Sequence, residues 1–174
     1  SWAARRKKTF SPGRGDYYQL TVSISNREVI LLKPTSFMNL SGIPILKVVQ
    51  QRRLSPENLL ILCDDVALPF GTIRIRKAGS DGGQRGLASV ISELETENVP
   101  RMRIGIYTEN RFDELSDYVL SPIPDDLYKD LKRVVKTSTE ALDCILHNGL
   151  SFTMNRYNRN VLDDNSQIDN YTQD

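Results

Sequence analysis

An α/β fold in a single domain, with a mixed, mostly parallel twisted sheet flanked by helices, is the architecture this sequence predicts. Three observations carry it. Runs with two-residue alternation recur between runs with helical periodicity. The 174 residues suit one domain with a sizeable core. No repeat or internal linker divides them. The hydrophobic share of 39% and charged share of 26% are those of an ordinary globular chain, which excludes global disorder.

Taken in order, the chain opens on a basic segment, 1–16, with Arg5, Arg6, Lys7, Lys8 and Arg14. Such an end is expected to be solvated and partly disordered. Tyr17 to Ser25 alternates, Asn26-Arg27 turns, and Glu28 to Lys33 returns, which predicts a hairpin. Pro34 stops the second strand. A helix is expected from Ser41, as cap, to Leu54, with Ile45, Leu46, Val48 and Val49 on its apolar side.

Leu59 to Cys63 is short and continuously apolar, so it reads as a strand buried on both faces and central in its sheet. Thr72 to Arg76 alternates as a strand with its basic side outward. After the glycines at 79, 82 and 83, the apolar positions Leu87, Val90, Ile91 and Leu94 take helical spacing. Met102 to Tyr107 is a further strand. The longest helix starts near Asp125 and stops at Asn148-Gly149, and a short one follows from Ser151. The fold is expected over 17–160, with 161–174 as a polar, acidic, disordered tail.

The net charge of +1 argues against a protein that coats nucleic acid by bulk charge, while leaving room for a local basic patch. Cys63 and Cys144 form neither a disulfide framework nor a metal spacing, as befits a reducing compartment. No apolar run approaches the roughly 20 residues of a membrane helix, so the cytoplasm is the expected location.

Three segments put polar groups beside a glycine or at a strand end, where open α/β sheets hold ligands. They are Lys33-Pro34-Thr35-Ser36-Phe37-Met38-Asn39-Leu40-Ser41-Gly42, then Cys63-Asp64-Asp65 through Gly71, then Gly79-Ser80-Asp81-Gly82-Gly83-Gln84-Arg85-Gly86. Each also has a plain structural reading. Asn39 could only start a helix, Asp64-Asp65 could open a turn, and the glycines could be a connection. A paired-carboxylate Mg²⁺ site lacks a third acid or a phosphate cradle. No Gly-Lys-Ser/Thr follows the glycines, so they are not a P-loop.

In the order KPTSFMNLSG, DDVALPFGTIRIR, GSDGGQRGLASVI, PRMRIGI, DYVLSPI and NGLSFTMNRYN, the chain resembles the bacterial-type peptidyl-tRNA hydrolase family from about Tyr17 to Asn158. That resemblance implies hydrolysis of the ester between a peptide and the 3′ adenosine of tRNA, with no metal or cofactor and by a monomer. The family's water is activated by a histidine, an imidazole with a pKa of about 6.5 being suited to take its proton. The resemblance makes Asp64 the carboxylate that orients this base, and Asn39 the amide that holds the substrate end. It places Phe37 and Met38 along the peptide-side groove, and Arg76 and Arg103 against tRNA phosphates.

The sequence departs from the family in two ways. The family's first strand, its Gly-Asn-Pro-Gly loop and its base-bearing Thr-Arg-His-Asn segment have no counterpart before Tyr17, so the first strand is expected to be missing and the chain inactive as it stands. The one histidine, His147, reads as a residue near a helix C-terminus. Gln84-Arg85 stands where many members have His-Asn. A guanidinium is donor-only and cannot copy the amide's acceptor role, but it could clamp a phosphate or the terminal ribose region. The alternative function is a non-catalytic RNA-binding relative, an assembly or splicing helper.

Overall fold

Two three-stranded sheets and the long helix that touches both organise the chain, as seen in a computed structural model that describes residues 2–108 and 115–163. Chain order begins with helix α1 (Trp2–Arg5) and strands β1 (Ser11–Pro12), β2 (Tyr17–Ile24) and β3 (Arg27–Pro34). These strands form an antiparallel meander with Leu20 opposite Leu31 and Val22 opposite Val29. Ser25 and Asn26 both take positive φ, +49° and +60°, as a two-residue hairpin turn matched to strand twist requires.

Next come α2 (Gly42–Arg52), β4 (Ile61–Pro69), β5 (Ile73–Arg76), α3 (Arg85–Leu94) and β6 (Arg101–Tyr107). The second sheet has the order β4-β6-β5, with β4 parallel and β5 antiparallel to β6. The α/β class is therefore as expected, but the sheet is split in two and only one of the described strand pairings is parallel. The expectation of a mostly parallel sheet rested on alternating elements, a pattern that does not register that β5 turns back along β6.

The helices α4 (Leu115–Leu120), α5 (Tyr128–Asn148) and α6 (Leu150–Tyr157) complete the fold. Ile73, Ile75 and Met102 are fully buried with Val134 and Ala141 of α5. Full burial of side chains this size stabilises the fold by about 1.5–3 kcal/mol each. A second cluster joins Trp2, Ala3, Leu20 and Val22, and Leu142 of α5 packs against both clusters. So α5 ties the two sheets together.

Three expectations change in detail. Strand β4 lies at the edge of its sheet, with β6 its only strand partner among the described residues, and Leu62 is 47% exposed. A continuously apolar run signals burial, not strand order, and here the order places it outermost. Within the basic segment, Trp2 and Ala3 are buried, Trp2 donates its indole N–H to Asp143 at 2.7 Å, and Arg6 pairs with the same carboxylate at 2.7 Å. Buried apolar area and a shared counter-ion hold this end. Beyond α6, Asn158 bonds both backbone groups of Ile75, Arg159 accepts from Ile73 N–H at 2.9 Å, and Val161 enters the core. This returning segment covers the open edge of β5. Of the expected acidic tail, residues 164–174 lie outside the described residues.

Candidate active site

Asn39 is positioned by a tight turn braced against α3. β3 ends at Pro34, and Met38–Leu40 forms one turn of 3₁₀ helix closed by Leu40 N–H to the Phe37 carbonyl at 2.8 Å. At the start of α2, Gly42 N–H donates to Ser89 Oγ at 2.9 Å. A Cβ on Gly42 would stand 2.3 Å from the Ser89 carbonyl oxygen, so only glycine permits this approach. Met38 Sδ would meet a Cβ on Gly86 at 2.6 Å, a second close contact between the turn and α3. The Asn39 amide makes no hydrogen bond among the described residues, and Ser41 does not cap α2 with its side chain. Asn39 is thus not a helix-start residue satisfying backbone donors. Phe37 is 81% exposed and Met38 57%, beside that amide.

The glycine loop is shaped by a residue that sequence reasoning passed over. Arg101, 2% exposed, donates to the carbonyls of Gly79 at 2.6 Å, Ser80 at 3.0 Å, Glu97 at 3.3 Å and Val99 at 2.7 Å. Nothing in its local sequence marks it as buried; the loop folded over it does that. Gly82 and Gly83 take φ of +60° and +83°, open to glycine at little cost, and Asp81 Oδ1 accepts Gly83 N–H at 2.6 Å. Gln84 Oε1 accepts Leu87 N–H at 2.8 Å and caps α3. Arg85 is then the first residue of α3. Its guanidinium is exposed and has no ion pair or hydrogen bond among the described residues.

Asn39 and Arg85 line one cavity of about 350 Å³, completed by Ala88, Ser89, Ser92 and Glu93 of α3. Asp64 is not among the lining residues. It sits half-buried in β4 in register with Ile104, and its carboxylate has no hydrogen-bond or ion-pair partner among the described residues. The neighbouring Asp65 is paired: Oδ1 accepts Ala67 N–H at 2.8 Å, and the buried Oδ2, which accepts no hydrogen bond among the described residues, lies 2.5 Å from Arg103 Nε as an ion pair. The two carboxylates therefore differ, one structural and one uncommitted.

Of the two arginines expected to meet phosphates, Arg76 is exposed and unpaired among the described residues, at the end of β5. Arg103 is committed to Asp65 and packs over Gly82. Burial, then the charge of Asp64, pushes the Cys63 thiol up to about 11, so it is no thiolate nucleophile near neutral pH. His147, in the last turn of α5, has its Nδ1 3.4 Å from Ser25 Oγ and does not line the cavity. Among the described residues no group of three or more His, Cys, Asp or Glu could hold a metal ion, and no helix is long and apolar enough to cross a membrane.

Comparison with known proteins bears on what this cavity serves. The sequence profile of the family described as Peptidyl-tRNA hydrolase matches residues 2–166, ahead of Tyr17 and beyond Asn158. A peptidyl-tRNA hydrolase of Thermodesulfovibrio yellowstonii is 37% identical over 148 residues, covering 84% of this chain and 79% of that protein. One from Chlorobium phaeobacteroides is 37% identical over 161 residues, covering 92% and 85%. The crystal structure of peptidyl-tRNA hydrolase from Acinetobacter baumannii shares the fold with a TM-score of 0.83 at 23% identity, covering 92% of this chain and 82% of that one.

Proposed function

Because the chain belongs to the peptidyl-tRNA hydrolase family, we propose that Asn39 and Arg85 hold the 3′ end of a peptidyl-tRNA in their shared cavity while water cleaves its ester. The reaction moves an acyl group from the ribose oxygen to water, releasing the peptide and a tRNA that can be charged again. The observation that carries this reading is an amide and a guanidinium, both without partners among the described residues, lining one cavity. An amide offers both a donor and an acceptor, which suits an ester carbonyl and an attacking water. A guanidinium offers only donors and suits the phosphate or ribose at the terminal nucleotide.

Water is a poor nucleophile near neutral pH, so the reaction needs a general base. The reading gives Asp64 the role of orienting an imidazole base and stabilising its protonated form, as carboxylates do in acid–base–orienter sets. His147 is not that base, being held beside Ser25 and outside the cavity. Phe37 and Met38 present apolar surface to the peptide. Arg76, unpaired among the described residues, takes the phosphate backbone; Arg103, already paired to Asp65, adds a weaker contribution there. The protein acts as a monomer in the cytoplasm, without metal or cofactor.

Release of an N-acetylated amino acid from charged tRNA, measured on a form of the protein that carries the family's base-bearing Thr-Arg-His-Asn segment, tests the proposal. Turnover that falls with Asn39→Ala and Arg85→Ala supports it. Tight tRNA binding with no release under any condition would favour the non-catalytic RNA-binding alternative.

A further inference from the structure

The wall of α3 that lines the cavity has a charge at each end. Arg85, Ala88, Ser89, Ser92 and Glu93 fall at successive helical spacings on one face, with small residues between the two charged ones. The Glu93 carboxylate has no hydrogen-bond or ion-pair partner among the described residues, although the residue is partly buried and its Cγ packs against Gly42. An unpartnered carboxylate on the wall of a cleft favours a cation. Eight residues of helix at ~1.5 Å rise set Arg85 and Glu93 about 12 Å apart. An extended peptide at ~3.3 Å per residue covers that span in about three to four residues.

We propose that this cavity is a subsite for the peptide of peptidyl-tRNA, with the ester at Asn39 and Arg85 and an ammonium group three to four residues away at Glu93. The ammonium is either the free α-amine of a short peptide or a basic side chain at the same distance. The inference rests on the reading of Asn39 and Arg85 given above. Glu93 sets which peptides are preferred, and takes no part in the bond-breaking step. Ala88, Ser89 and Ser92 leave room for a backbone to lie along α3.

Titration calorimetry with triglycine joined through an amide to 3′-amino-3′-deoxyadenosine provides the test, since this ligand cannot be hydrolysed. The ligand with a free amine is expected to bind the wild-type protein about fivefold tighter than its N-acetylated form, the size of a partly exposed ion pair. Glu93→Gln keeps the stem that packs on Gly42 and should erase the difference while leaving the acetylated ligand unchanged. An acetylated ligand with lysine as its first residue recovers the advantage if side-chain ammonium is accepted, and fails to if the α-amine alone is recognised; either supports the subsite. Equal affinity for the free and acetylated ligands overturns the subsite alone. Failure of all three to bind overturns the placement of the substrate end at Asn39 as well.

Discussion

Arg101 Nη1 donates to the carbonyl oxygen of Gly79 at 2.6 Å, and this contact sets the glycine loop against the sheet. The same guanidinium takes the carbonyls of Ser80, Glu97 and Val99, so one buried side chain ties the loop to the segment entering β6. Arg101→Met removes every donor while keeping much of the stem. It should destabilise the protein by about 3 kcal/mol, because the carbonyls lose a charged partner inside the protein. Urea unfolding checks this; a loss below about 1 kcal/mol would show that water replaces the guanidinium.

Arg76 and Arg103 should separate by the property each one changes. Arg76→Ala is expected to weaken tRNA binding and to lower the slope of log K against log salt by about 1, with stability almost untouched. Arg103→Ala leaves Asp65, 7% exposed, without its cation and should cost about 3 kcal/mol of stability. Equal salt slopes for Arg76→Ala and the wild type would contradict a phosphate contact.

Cys63 should resist alkylation. Its folded-state thiol titrates at about 11 against 9.0 for the free group, chiefly through burial and next through Asp64. At pH 8.5 iodoacetamide should modify it far more slowly in the native protein than in urea. The sign for stability follows from the raised value. The folded state holds its proton more tightly, so the contribution is complete below pH 9 and is lost as pH rises through about 11. Native modification at the rate of a free thiol would refute the burial assigned to it.

With the family's base-bearing segment present, Asp64→Asn should lower kcat more than it weakens substrate binding, since an orienting carboxylate acts in the transition state. A drop of about 10²-fold or more in kcat with KM within threefold is the expected pattern, on the scale of a general-base contribution. An equal loss in both would assign Asp64 to binding.

Much of this arrangement is legible in the amino-acid order because it is local. The alternation from Tyr17 onward gives the hairpin, and Leu87 and Val90 mark the buried side of α3. Asn39 and Arg85, far apart in sequence, are marked by the resemblance to the family, and they line one cavity. What escaped depends on strand order and on tertiary cover. Asp64 and Asp65 are the same residue type side by side, and only the approach of Arg103 from β6 separates them. Nothing local to Arg101 marks it as buried, and only the loop that folds over it makes it a clamp. Gln84, noted for replacing a histidine, proves to cap α3 through its side-chain oxygen.

The amide of Asn39 offers the sharpest test, because among the described residues it makes no hydrogen bond whose loss would disturb the fold. Asn39→Ala should leave the unfolding free energy within about 0.5 kcal/mol of wild type, as for a surface position without partners. In a form carrying the family's base-bearing segment, its kcat/KM for N-acetylated aminoacyl-tRNA should fall by about 10²-fold, the scale of one lost hydrogen-bond donor at a reacting carbonyl. An Asn39→Ala protein that hydrolyses this substrate at the wild-type rate would mean that the ester lies elsewhere.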